Sequence, residues 1–156
     1  MFLHEIDNEL KELAFNFFYK YSRFEYSLKA NGFCRADNKE SKASADWQKF
    51  REQHEDRYHP TEEAFDLLAD PPKVQVFKDS RLSFVPEETK ANDTDLRKVL
   101  RAIHRVRNNL FHGGKQGIGT EGELQRNKYL LTTASRVLDQ LSKIDASVEF
   151  DYPGKY

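Results

Sequence analysis

The opening third of the chain, FLHEIDNELKELAFNFFYKYSRFEYSLKANG, carries apolar side chains on two sides of one helix. Leu10, Leu13, Ala14, Phe17, Phe18, Tyr21, Phe24 and Leu28 recur three and four residues apart, the spacing that lines one helical face. Asn31-Gly32 follows as a stop, because glycine readily takes the left-handed conformation after a helix. Phe15, Tyr19 and Tyr26 fall on another side of the same helix. A helix at a protein surface needs only one apolar stripe. Two stripes point to a central position in a bundle or a partner subunit, with surface aromatics on a long helix as the alternative.

Two further segments keep the helical period. DTDLRKVLRAIHRVRNNLF places Leu96, Val99, Leu100, Ile103, Val106 and Leu110 on one face, with Asp93, Thr94 and Asp95 suited to its amino-terminal end. After the glycine-rich GGKQGIGTEG, the stretch ELQRNKYLLTTASRVLDQLSKIDAS repeats the pattern through Leu130, Leu131, Ala134, Val137, Leu138, Leu141 and Ile144. The region 33–92 between the first and second of these is mixed. FCRADNKESKASA reads as a polar loop, ADWQKFREQHEDRY as a short exposed helix, and TEEAFDLLAD as one or two helical turns stopped by Pro71-Pro72. Val74 and Val76, then Leu82 and Phe84, alternate around Asp79-Ser80 as in a small hairpin. The tail VEFDYPGKY takes no assignment. The expected fold is all-α: a single domain over 1–156, an antiparallel helical bundle with 33–92 as an inserted region of short helices and a small hairpin.

Charge excludes a generally basic nucleic-acid binder, since 25 Lys and Arg balance 26 Asp and Glu. Aromatic residues make up 13%, against disorder. The single cysteine, Cys34, fits a reducing, cytoplasmic setting, and neither a signal peptide nor a membrane span is expected. In HEDRYH the two histidines stand five apart and do not share a helix face in the metalloprotease manner, so no metal or other cofactor is expected. Trp47 and Phe50 read as packing residues.

Against that balance the window from Leu96 to Lys115 holds no acidic residue. It contains Arg97, Lys98, Arg101, Arg105, Arg107 and Lys115, with His104 and His112. Arg101, Arg105, Asn108 and His112 succeed one another at helical steps and line one side. Arg107 falls near the line of Ile103 and Leu110, toward the core, where a permanently charged guanidinium needs partners or a solvent-filled cleft. Glu25 follows Phe18 and Tyr21 on the first helix and also leans inward. It is expected to face Arg107 or Arg105 and orient the basic site, with Arg23 anchoring the same region.

Taken together, RNNLFH at the end of a helix and the opening helix FYKYSRFEYSLKANGF resemble the HEPN superfamily. The likeness covers the first helix and the last two, and leaves out 33–92. It implies metal-independent RNA cleavage by a homodimer with a composite active site. His112 would act on the ribose 2′-hydroxyl as general base, and Arg107 would stabilise the crowded phosphate. Both residue types suit the chemistry, since imidazole titrates near neutrality and a guanidinium presents a fork of donors to phosphoryl oxygens. Asn108 would hold the histidine or the substrate, and Arg101, Arg105, Asn109 and Lys115 are the candidate substrate contacts. Gly113 and Gly114 leave room for a backbone to approach. The sequence departs from toxin members at Gly114, where they carry a tyrosine, so the modification known there is not expected. An effector of a bacterial toxin–antitoxin or antiphage defence system, with a cognate antitoxin, is the leading expectation. The alternative is a non-catalytic helical module that binds RNA or a protein partner.

Overall fold

The computed structural model describes residues 6–37, 39, 41–111 and 120–154. The chain is mainly helical, with two small antiparallel hairpins. Helix α1 spans Asn8–Ala30. The Asp7 side chain caps it by accepting the Leu10 N–H at 2.9 Å, and Gly32, at φ +84°, turns the chain away beyond its end. Leu10, Phe17, Tyr21, Phe24 and Leu28 are buried as the periodicity demands. Phe15 and Tyr26 are not, at 68% and 52% exposure, and Tyr19 is also exposed. Within one chain, therefore, α1 is not central. It packs chiefly on α5, and its second aromatic stripe faces outward.

Strand β1 (Cys34–Ala36) pairs with β2 (Ala43–Ala45), where a polar loop was expected. Its three residues are all exposed, so no alternation marks it. Helices α2 (Trp47–His54) and α3 (Glu62–Ala69) follow, capped by Asp46 and Thr61. The expected hairpin is formed by β3 (Val74–Lys78) and β4 (Arg81–Val85). Asp79 and Ser80 both take positive φ between them, the backbone of a tight primed turn. Region 33–92 packs on the long helices: Phe33, Ala45, Phe50, Ala64 and Leu67 join the same buried cluster.

Helix α4 (Asp95–Phe111) buries Leu96, Val99, Leu100, Ala102, Ile103 and Val106. Helix α5 (Glu121–Ser142) starts with a reciprocal capping box between Thr120 and Glu123. The stretch expected as one helix to Ser147 stops at Ser142, and its last residues join the unassigned tail in a sixth helix, α6 (Ala146–Asp151), with the Ser147 and Val148 N–H groups taken up by the Asp145 carboxylate. Among the described residues no helix is long and apolar enough to cross a membrane.

Candidate functional site

Arg107 lies just before the last turn of α4, half-buried at the edge between the core face and solvent. Its Nη1 donates to the Asn108 Oδ1 at 3.1 Å. The guanidinium lies 4.7 Å from the Phe111 ring centroid and 6.0 Å from that of Tyr21. Such stacking suits a planar, weakly hydrated cation. The place of Arg107 follows from the sequence: it is one residue past buried Val106 and four past buried Ile103, so only its stem reaches the core side.

Beneath it is a polar thread through an aromatic packing layer. The Tyr21 hydroxyl meets His104 Nδ1 at 3.0 Å, and the His104 ring stands edge-on to Trp47 with centroids 4.6 Å apart. The Trp47 indole N–H donates to Glu25 Oε2 at 3.0 Å. Burial, aided by the charge of Arg107, lowers the His104 pKa to about 4. Burial also raises the Tyr21 phenol above its ordinary value; the Glu25 charge adds to this and Arg107 opposes it. Near neutral pH both groups are uncharged, so a phenolic O–H can donate to an unprotonated Nδ1. The thread holds the wall behind Arg107, and neither Tyr21 nor His104 changes charge near neutral pH.

Several expected site residues are placed otherwise. Glu25 forms no ion pair with Arg105 or Arg107. It leans inward as expected, but the indole of α2 reaches it first. Arg23 anchors a different region: its Nη2 donates to the Asp151 carbonyl at 2.6 Å and its Nε to the Tyr152 carbonyl at 3.3 Å, tying α1 to the carboxyl end of α6. Arg105 is held by Glu87, with Nη2 to Oε1 at 3.0 Å. Arg101 binds Asp93 at 2.6 Å, and Arg97 reaches the same carboxylate at 3.3 Å. Asn109 donates from its side-chain amide to the Lys73 carbonyl at 3.0 Å, fastening the start of β3 to α4. These contacts make Arg101, Arg105, Asn109 and Arg23 structural in the first instance. His112, Gly113, Gly114 and Lys115 lie outside the described residues.

The acids that quench the basic face lie at or before the start of α4: Asp93 and Asp95 read in sequence as partners of the helix end alone, and Glu87 was not singled out. The Asp93 side chain is almost wholly buried, at 1% exposure. The Arg101 hydrogen bond, reinforced by the Lys90 N–H and the Arg97 charge, holds its pKa at about 2 despite burial. Lys98 has Asp95 at 3.9 Å. Of the five cations on α4, Arg107 is then the one with no carboxylate partner among the described residues. Tyr21 and His104 were also missed as a pair. The signal was available, since each is a polar aromatic set among buried apolar positions of its helix.

Among the described residues no group of three or more His, Cys, Asp and Glu side chains is placed to hold a metal ion. In HEDRYH, His54 Nε2 is instead engaged with Asp145 Oδ2 at 3.0 Å. Compared with known proteins, the chain matches no family model, no curated protein and no solved structure.

Proposed function

We propose that this chain is a metal-independent endoribonuclease built on an antiparallel helical bundle, acting in the cytoplasm as a homodimer. One observation carries the reading. Among the described residues Arg107 is the α4 cation left without a carboxylate, held by Asn108 and two aromatic rings near the helix end that leads in sequence into His112. A phosphodiester is the anion such a fork of donors binds as charge builds.

In the reaction His112 takes the proton of a ribose 2′-hydroxyl. The 2′-oxygen attacks phosphorus, the bond to the 5′-oxygen breaks, and the leaving oxygen receives a proton from the imidazolium. The products are a 2′,3′-cyclic phosphate and a 5′-hydroxyl, with no oxidant, reductant or metal needed. Arg107 offsets the charge on the phosphoryl oxygens, and Asn108 fixes the guanidinium. The outward stripe of Phe15, Tyr19 and Tyr26 on α1 supports burial against a second copy. The biological role proposed is that of a toxin–antitoxin or antiphage effector, restrained by a cognate antitoxin.

Purified protein should cut total RNA in the presence of chelator, leaving cyclic-phosphate ends, while His112→Ala should not. If neither protein cuts but Arg107→Ala abolishes RNA binding, the chain is a non-catalytic RNA-binding module.

A further inference from the structure

Two aromatic rings meet in the open beside Arg107. Phe111, the last residue of α4, is 52% exposed, and Phe18 of α1 is 43% exposed. Their centroids are 5.7 Å apart with planes inclined at 51°. An isolated surface phenylalanine needs no explanation, because much of any protein surface is apolar. Here two contribute one patch from separate helices, and the α4 guanidinium that has no acidic partner among the described residues lies 4.7 Å from the centre of one ring. Phe18 lies on the flank of α1 turned toward α4, and Phe15, Tyr19 and Tyr26 occupy the neighbouring stripe.

We propose that Phe111 and Phe18 form a stacking site for an unpaired nucleobase whose phosphate is held by Arg107, making single-stranded RNA the substrate class. The proposal rests on the ribonuclease reading and narrows it. A base can lie on a phenylalanine face only when it is unstacked and unpaired; in an A-form duplex the base faces are covered and the grooves show edges. Stacking on a ring is tolerant of sequence, because every base has a flat π-face. A cation beside exposed rings suits a ligand that offers an anion and a flat apolar surface one nucleotide apart. A second copy seated symmetrically on this patch would bring together two Arg107 guanidiniums, neither of them paired with a carboxylate among the described residues. A polyanion lying between the copies removes that repulsion.

The test uses the full chain carrying His112→Ala, with a short fluorescent single-stranded RNA and the same RNA annealed to its complement. Phe111→Ala should weaken single-strand binding by about tenfold or more, while Phe111→Trp retains it. The Trp variant should also show emission quenching on adding single strands, beyond that of Trp47 alone. The duplex should bind more weakly than the single strand, and Phe111→Ala should leave its affinity unaltered. If Phe111→Ala binds single strands like its parent and Arg107→Ala does not, stacking is overturned and the ribonuclease reading stands. If the parent itself binds no RNA, both fall. If Phe111→Ala turns a dimer into a monomer in sedimentation without RNA, the rings belong to a second copy and the proposal is overturned.

Discussion

The indole N–H of Trp47 donates to the carboxylate of Glu25 across 3.0 Å, joining α2 to α1 beneath the end of α4. An inward-leaning acid is thus satisfied by a neutral donor, and no arginine is drawn toward it. Trp47→Phe keeps an aromatic ring against His104 and Phe24 but removes that donor. The expected loss is about 1–2 kcal/mol in chemical denaturation. Glu25→Gln, which keeps an acceptor oxygen, should cost less. Equal stability of Trp47→Phe and the parent would sink the assignment.

Arg107 has no ion pair to lose among the described residues, so its removal should be felt in chemistry more than in folding. Arg107→Ala should lower RNA cleavage by about 100- to 1000-fold, the usual scale for one transition-state donor. The melting temperature should stay close to that of the parent. Arg107→Lys restores the charge without the fork and should recover only part of the rate. A large drop in melting temperature would recast Arg107 as a structural residue.

Arg105 should behave in the opposite way. A double-mutant cycle with Arg105→Ala and Glu87→Ala should show a coupling of about 0.5–1 kcal/mol, as befits a partly exposed pair. RNA affinity of Arg105→Ala should match the parent. A selective loss of RNA binding would return Arg105 to the substrate contacts.

His104 gives stability a pH dependence of known sign. Its folded pKa, about 4, is below the ordinary histidine value of 6.5. Between those limits the unfolded chain binds the proton better, so stability falls as pH drops through the window. The effect is fully developed below pH 4, absent above 6.5, and on the order of 3 kcal/mol in total. His104→Gln, which retains a partner for the Tyr21 hydroxyl, should flatten that part of the melting-temperature profile. An unaltered slope would contradict burial of a neutral imidazole.

The long helices were legible because their period persists over many turns: α1 stops where Asn31-Gly32 indicates and α4 starts beside Asp93, whereas α5 ends at Ser142, short of the stretch to Ser147 that reads as one helix. The hairpin at Val74–Val85 was legible through its alternation and its Asp79-Ser80 turn. Strands β1 and β2, of three residues each, are too short to show a period. Helix α6 hid for a similar reason, though Asp145 ahead of Ser147 and Val148 is a capping signal in hindsight. At the site, the half-buried station of Arg107 and the inward lean of Glu25 were both readable from helical spacing. Their partners were not. A window slid along α4 counts its own charges and cannot register Glu87 or Asp93 folding back from outside it.

That folding back decides how the molecule meets a polyelectrolyte. Because Glu87 and Asp93 act as built-in counterions for Arg97, Arg101 and Arg105, those groups have few condensed cations to displace from a nucleic acid. The salt sensitivity of binding scales with the number of phosphates neutralised, with a logarithmic slope of about −0.7 per phosphate for single strands. Among the described cations of α4, only Arg107 adds fully to that slope, so adhesion should decline gently with ionic strength instead of collapsing.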